Sequence, residues 1–443
     1  MMPPGLAILS VMLALGGLLL GVRAAQRRWA LNPEHCRKTV HMGMGLVCLT
    51  FPWLFRTAWP VGVLAGCAAA ALGAVRFVPR LKTQLGGVLG GVERESWGEL
   101  LFPLSVAFVF LLAHGQALLF CIPVLTLTLA DAMAALIGQR YGQARYETDS
   151  GWKSVEGSTA FFFVAFLSTH VPLLLFSDVG RLECLLVAVV MGLILSLMEA
   201  IAWQGLDNLF IPLVSYVCLT HMARLTPFEI EIRLVVLLLI ILGLSFWRKT
   251  TRLTQSAIIG AALILYVTWA AGDWRWFIAP LATAVAYTFI SRSPSVAQHK
   301  HTIYDVACIG GTGLFWLCLS QPVGTACTIF PYGVGYGANL GMIALAHFAH
   351  GITPQPPRRG VLKAIALGYL ALATPYFIVW RDSPILASLA LASLILVGLS
   401  VTAFSLWQSK SRAGGTTGNR WVRQLVISSL TSALAFCLRT FLF

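Results

Sequence analysis

Leu127–Ala160 reads LTLADAMAALIGQRYGQARYETDSGWKSVEGSTA. An apolar helix carries one acid, Asp131, and gives way to a glycine-punctuated basic loop from Gly138 to Gly151. A second apolar helix then opens with Lys153, Ser154, Glu156, Gly157 and Ser158. An ionisable residue inside a membrane span is costly and marks a functional site by default. A helix N-terminus with a lysine and small residues offers unpaired N–H groups and a positive dipole end to an anion. An acid for a cation and a helix mouth for phosphate point to metal–nucleotide chemistry at a membrane surface.

The rest of the chain supports a membrane setting. Hydrophobic residues make up 58% and charged residues 11%, and the mean hydropathy is +0.81, whereas soluble domains carry about 25% charged residues. The first apolar run, Gly5–Val22, reads as a retained span, since no small-residue cleavage site follows it. The ten cysteines show no C-x-x-C spacing, so neither a zinc site nor a disulfide framework is indicated. A net charge of +14 fits the positive-inside rule and calls for no nucleic-acid partner.

The apolar runs predict an all-α fold, a polytopic transmembrane helical bundle of about sixteen spans in two halves. The halves are residues 1–223, read as catalytic, and 224–443, read as a second multi-span domain without catalysis. Numbered this way, alternate loops hold most of the 31 Lys and Arg residues, which puts those loops in the cytoplasm and the N-terminus outside. The same numbering brings five polar groupings of the first half to one cytoplasmic face. They are Glu34 to His41, Glu93 to Glu99, Asp131, Lys153 to Ser158, and Glu199 with Asp207 and Asn208. Twelve of the seventeen acids precede residue 220, and Asp305 is left as the one cytoplasmic acid of the second half.

Each motif has a plain alternative. Asp131 sits in a small-residue stripe with Ala134, Ala135, Gly138 and Gly142, which serves close helix packing with a polar cap, or magnesium binding, or acceptance of a hydroxyl proton. Lys153–Ser158 is either a basic flank with an ordinary N-cap or a phosphate cradle. Gly157 would let a ligand or a neighbouring backbone come close. Arg37, Lys38 and His41 are orientation signals or charge-stabilising groups, Glu95 and Glu99 belong to a solvated loop or serve the substrate, and Arg140 could stabilise charge on the transferred group.

Five blocks, in order, carry a resemblance: E-x-x-R-K-x-x-H (34–41), R-E-S-x-G-E-L-x-F-P (94–103), D-x-x-A-A-L-x-G-x-x-x-G (131–142), K-S-V-E-G-S (153–158) and G-L-D-N-L-x-x-P (205–212). Over residues 30–220 the chain resembles the polyprenol kinase family, which includes phytol kinases and the catalytic portion of dolichol kinase. The resemblance implies phosphorylation of a membrane isoprenoid alcohol by CTP, or another NTP, with Mg2+ or another divalent cation. Carried over by position, it implies nucleotide and metal at Asp131, Gly138, Gly142, Lys153, Ser154, Glu156 and Gly157, completed by Asp207 and Asn208.

The K-S-x-E-G element also looks like CDP-diacylglycerol synthases, but the later acidic glycine–histidine signature of those cytidylyltransferases is missing here. A non-catalytic transporter or scaffold is the third class. The second half weakly resembles a membrane family that includes phytyl-phosphate kinases. Where that family carries an acid, Gly333–Gly341 has none.

The expected enzyme is therefore a lipid-alcohol kinase working at the cytoplasmic face. Asp131, Lys153 and Asp207 are its catalytic candidates, and Asp131, Glu199 and Asp207 its metal ligands. Lys153 and the N–H groups of Ser154–Ser158 would cradle the phosphates.

Overall fold

Eleven described helices are long and apolar enough to cross a membrane, and two further apolar helices are shorter. The computed structural model describes residues 3–78, 97–149, 151–291, 300–348, 358–379, 385–411 and 417–441. The protein is a polytopic all-α membrane protein with one short hairpin among the described residues. Among the described residues, other helices of the bundle, such as Pro33–Cys48 and Asp207–Met222, have only 16 residues each. Helices suit lipid because every backbone group is satisfied within its own segment.

The chain forms two compact units, Met1–Val235 and Val236–Phe443. The first contains α1 (Pro4–Trp29), α2 (Pro33–Cys48), α3 (Phe51–Leu54), α4 (Trp59–Phe77), α5 (Gly98–Ala113) and α6 (Ala117–Tyr141). There follow β1 (Arg145–Thr148), β2 (Gly151–Ser154), α7 (Val155–Phe176), α8 (Arg181–Ile201) and α9 (Asp207–Met222). The unit boundary lies inside α10 (Pro227–Trp247).

The segment expected as a basic loop is structured. β1 and β2 pair antiparallel, with Tyr146 opposite Lys153 and Arg145 opposite Ser154. Lys153 therefore stands on a strand, and α7 begins only at Val155, with Ser154 as its N-cap. The Ser154 hydroxyl accepts the Gly157 N–H at 3.1 Å, so the cap satisfies one of the donors that the sequence left for a phosphate.

Helix α6 is the hub of this unit and packs against α2, α5, α7 and α9. Its residues Phe120, Ile122, Val124, Leu127, Ala130 and Ala132 are almost entirely buried. Two close crossings fix its neighbours. A Cβ on Gly45 of α2 would fall 2.7 Å from Thr128 Cβ, so α2 passes α6 without room for a side chain. His41 and Lys38 lie four and seven residues before Gly45, on the same face of α2. They are thereby carried to Asp131, one turn beyond Thr128. A Cβ on Gly157 would lie 2.9 Å from the Ala134 carbonyl oxygen and 3.2 Å from Gly138 Cα.

The glycines of the small-residue stripe thus admit a neighbouring backbone. Gly157→Ala is expected to destabilise the protein by about 1–3 kcal/mol through overpacking. Gly62→Ala, where a new Cβ meets nothing within 4 Å, is expected to be neutral or slightly stabilising. Thermal unfolding of the two variants in detergent checks the contrast.

The second unit contains α11 (Gln255–Val267), a π turn (Thr268–Gly272), α12 (Trp274–Ser291), α13 (Ile303–Val323), α14 (Thr325–Phe348), α15 (Arg358–Val379), α16 (Leu386–Ser411) and α17 (Thr417–Phe441). Helix α14 is its centre: its most apolar window is wholly buried, and α12, α13, α15, α16 and α17 pack around it. The acid-free run Gly333–Gly341 lies in the middle of α14. Gly341 there faces Val401 and the Ala364 carbonyl, while Gly337 faces Val397 and the Gly368 carbonyl. Asp305 serves a capping box with Thr302 at the start of α13.

Candidate active site

Six ionisable side chains from five elements face one region of the first unit. On α2, Lys38 donates to Asp131 Oδ2 at 2.6 Å, and the two side chains are only 9% and 15% exposed. His41, one turn further along, places Nε2 3.8 Å from the same oxygen. From β2, Lys153 donates to Glu199 Oε1 on α8 at 2.7 Å and also to the Glu199 backbone carbonyl. Asp207, at the start of α9, lies in the fields of Asp131, Lys153, Lys38 and Glu199.

This arrangement carries two ammonium groups against three carboxylates. Buried charges are tolerated only when paired and hydrogen-bonded. Lys38 and Lys153 meet that demand for Asp131 and Glu199. Asp207 has no cation of its own at hydrogen-bond distance, and its Oδ1 is buried without a hydrogen-bond partner, as is Glu199 Oε2. Burial alone would lower the Lys153 ammonium, yet the adjoining Glu199 carboxylate holds it above the ordinary lysine range. Lys153 therefore keeps its charge throughout the neutral range.

The α8–α9 turn explains the position of Asp207. Gln204 and Gly205 adopt positive φ, 52° and 85°, and the Gln204 carbonyl accepts the Trp97 N–H at 2.8 Å. The Asn208 side-chain amide donates to the Gly98 carbonyl at 2.8 Å. Asn208 thus ties α9 to the start of α5, and Asp207 beside it is left to face the charged cluster.

Other expected site residues have different surroundings. Gly138, Gly142, Ser154 and Gly157 form the junction of α6, β2 and α7, where new Cβ atoms on the glycines would meet Ser154 or the opposing helix. Glu156 Oε1 accepts the Ala144 N–H at 3.1 Å. Ser158 shares a 2.7 Å hydrogen bond with Tyr146. Arg37 makes a two-pronged contact with Glu34, at 2.7 and 3.0 Å, and Glu99 lies in the fields of Arg37 and Arg76. Arg140 is exposed, 5.4 Å from the centre of the Tyr141 ring. Glu95 falls outside the described residues.

Among the described residues, no three His, Cys, Asp or Glu side chains close into a metal cage. Magnesium does not require one. It keeps several waters and is commonly held by one or two carboxylates together with substrate phosphates. The unpartnered oxygens of Asp207 and Glu199 fit that donor set.

Sequence reasoning overlooked Tyr146. It stands across the hairpin from Lys153 and bonds to Ser158, bracing the strand that presents the lysine. The alternation in Arg145-Tyr-Glu-Thr and Gly151-Trp-Lys-Ser, around a polar turn, was the available signal.

No family model matches the chain, and no solved structure matches it. A phytol kinase from Synechocystis sp. (strain ATCC 27184 / PCC 6803 / Kazusa) is 32% identical to it over 204 residues, which cover 45% of this chain and 84% of that protein. The chain belongs to the polyprenol kinase family. In this polyprenol kinase family member the cluster of lysines and carboxylates lies wholly within the first unit.

Proposed function

We propose that the first unit transfers the terminal phosphoryl group of a nucleoside triphosphate, CTP in our reading, to the hydroxyl of a long-chain isoprenoid alcohol. The observation that carries this reading is the pair of part-buried lysine–carboxylate contacts, Lys38–Asp131 and Lys153–Glu199, in whose fields Asp207 lies. The relative's name, phytol kinase, supports the choice of acceptor.

Phosphoryl transfer asks a protein mainly for positioning and charge neutralisation. Lys153 meets the phosphates from the hairpin, and Lys38 from α2. Each lysine is held in place by a carboxylate until the triphosphate offers more negative charge. Asp207 and Glu199 would hold a divalent cation, which when bound neutralises the phosphate oxygens. The nucleotide enters from the cytoplasm, the side assigned by the distribution of Lys and Arg, while the alcohol arrives laterally from the bilayer.

The test uses purified protein with γ-labelled CTP, ATP or UTP and a panel of phytol, farnesol, dolichol and phosphatidate. The expected result is labelled prenyl monophosphate and a nucleoside diphosphate. Turnover of phosphatidate with release of pyrophosphate would make the protein a cytidylyltransferase instead.

A further inference from the structure

The second unit holds a cavity that the proposed reaction does not use. It lies among α10, α11, α12, α13, α14 and α17, and about 600 Å³ of it, open side included, is free of protein atoms. The walls are almost wholly apolar, with Trp247, Ile264, Ile309, Ile343 and Trp421 among them. Most polar groups in the wall are already engaged. The Trp247 indole N–H donates to Thr288 at 2.6 Å, and the Thr283 hydroxyl donates to the Ala279 carbonyl at 2.8 Å. Asp305 serves the capping box of α13. His301 is fixed through its backbone to Arg252 and Thr254, and its ring stands edge-on to Tyr287 and Trp421 at 5.6 and 5.4 Å. Tyr287 differs. It lines the cavity, is only 8% exposed, and its hydroxyl is buried with no hydrogen-bond partner. A buried donor left in this state calls for an explanation.

We propose that this cavity of the second unit binds an uncharged isoprenoid alcohol, its chain against the apolar walls and its hydroxyl accepting a hydrogen bond from Tyr287. Ligand pockets commonly combine such walls with a few placed polar groups. The charges around the cavity select a neutral head. No Lys or Arg is among its described lining residues, whereas the Asp305 carboxylate is, so a phosphate there would face a like charge. Arg252 and Arg420 act on Tyr287 from beyond the wall, and Arg420 also lies in the field of Asp305, which balances it. The choice of an isoprenoid among neutral alcohols rests on the kinase reading, because that reading makes it the lipid the protein handles. The site adds a second place to hold this lipid and no step of chemistry.

The test labels the full-length protein in lipid nanodiscs with a phytol analogue that carries a diazirine on its chain, and maps the cross-linked peptides. Saturable labelling of peptides from α12, α13 and α17 is expected, with displacement by unlabelled phytol. The parent hydrocarbon, which lacks the hydroxyl, should be a competitor weaker by about 3–10-fold, the scale of one hydrogen bond, and phytyl monophosphate should be weaker still. Tyr287→Phe, which removes the hydroxyl and keeps the ring, should weaken labelling by the same about 3–10-fold. Ala284→Phe, which fills the cavity from a lining position, should abolish it. No saturable labelling of these peptides, displacement by the monophosphate as strong as by phytol, or wild-type labelling in either variant would overturn the inference. Tyr287→Phe decides the matter if Ala284→Phe fails to fold. Labelling here in a wild-type protein that phosphorylates no alcohol overturns the kinase reading alone, and phosphorylation without labelling here overturns this inference alone.

Discussion

Asp131→Asn is expected to lower prenol phosphorylation by about three orders of magnitude, the scale on which a preorganised charge at a transferring group contributes. The substitution keeps the shape of the side chain and removes its charge. The group that depends on that charge is Lys38, at 2.6 Å. Without it, Lys38 becomes a buried ammonium without its hydrogen-bonded carboxylate. Breaking one side of a buried pair also costs about 3–5 kcal/mol of stability. The rate is therefore measured per folded molecule, from initial velocities at saturating nucleotide and alcohol on the monodisperse fraction. Undiminished turnover in that fraction would remove Asp131 from the mechanism.

Lys153→Ala is the second large effect, a fall of about 10²–10³ in kcat/KM, as expected when one cationic or donor group is removed from the phosphates. The same change leaves Glu199 as an uncompensated buried carboxylate. A second substitution separates the two consequences. Lys153→Ala with Glu199→Gln is expected to unfold at a higher temperature than Lys153→Ala alone, because the stranded charge is gone. It should be no more active. If the double variant regains activity, the lysine acts only by neutralising Glu199 and does not serve the phosphates.

Much of the fold was legible because lipid imposes simple rules. Long apolar runs with few charges can only be helices there, and α6, α7 and α8 lie close to where hydropathy puts them. Asp131, Lys153, Glu199 and Asp207 stood out because ionisable residues at a membrane boundary are costly. Their pairing was not legible. Lys38 and Asp131 are 93 residues apart in the chain, and only the crossing at Gly45 and Thr128 brings them together. The hairpin was hidden because four-residue strands give too short a period to compete with the glycine and charge signals of a loop. Gly138, Gly142 and Gly157 were ambiguous, since a close ligand and a close helix both require the absence of a Cβ. At all three, an added Cβ would meet Ser154, and at Gly157 also the Ala134 carbonyl.

The central claim is that phosphoryl transfer belongs to the charged cluster of the first unit, and a direct comparison of carboxylates tests it. Initial rates of γ-label transfer to a prenol are measured for Asp207→Asn and for Asp305→Asn, the buried acid that caps α13 in the second unit. The account predicts that Asp207→Asn loses nearly all transfer while Asp305→Asn keeps the wild-type rate. Full activity in Asp207→Asn together with its loss in Asp305→Asn would contradict the account and move the chemistry to the second unit.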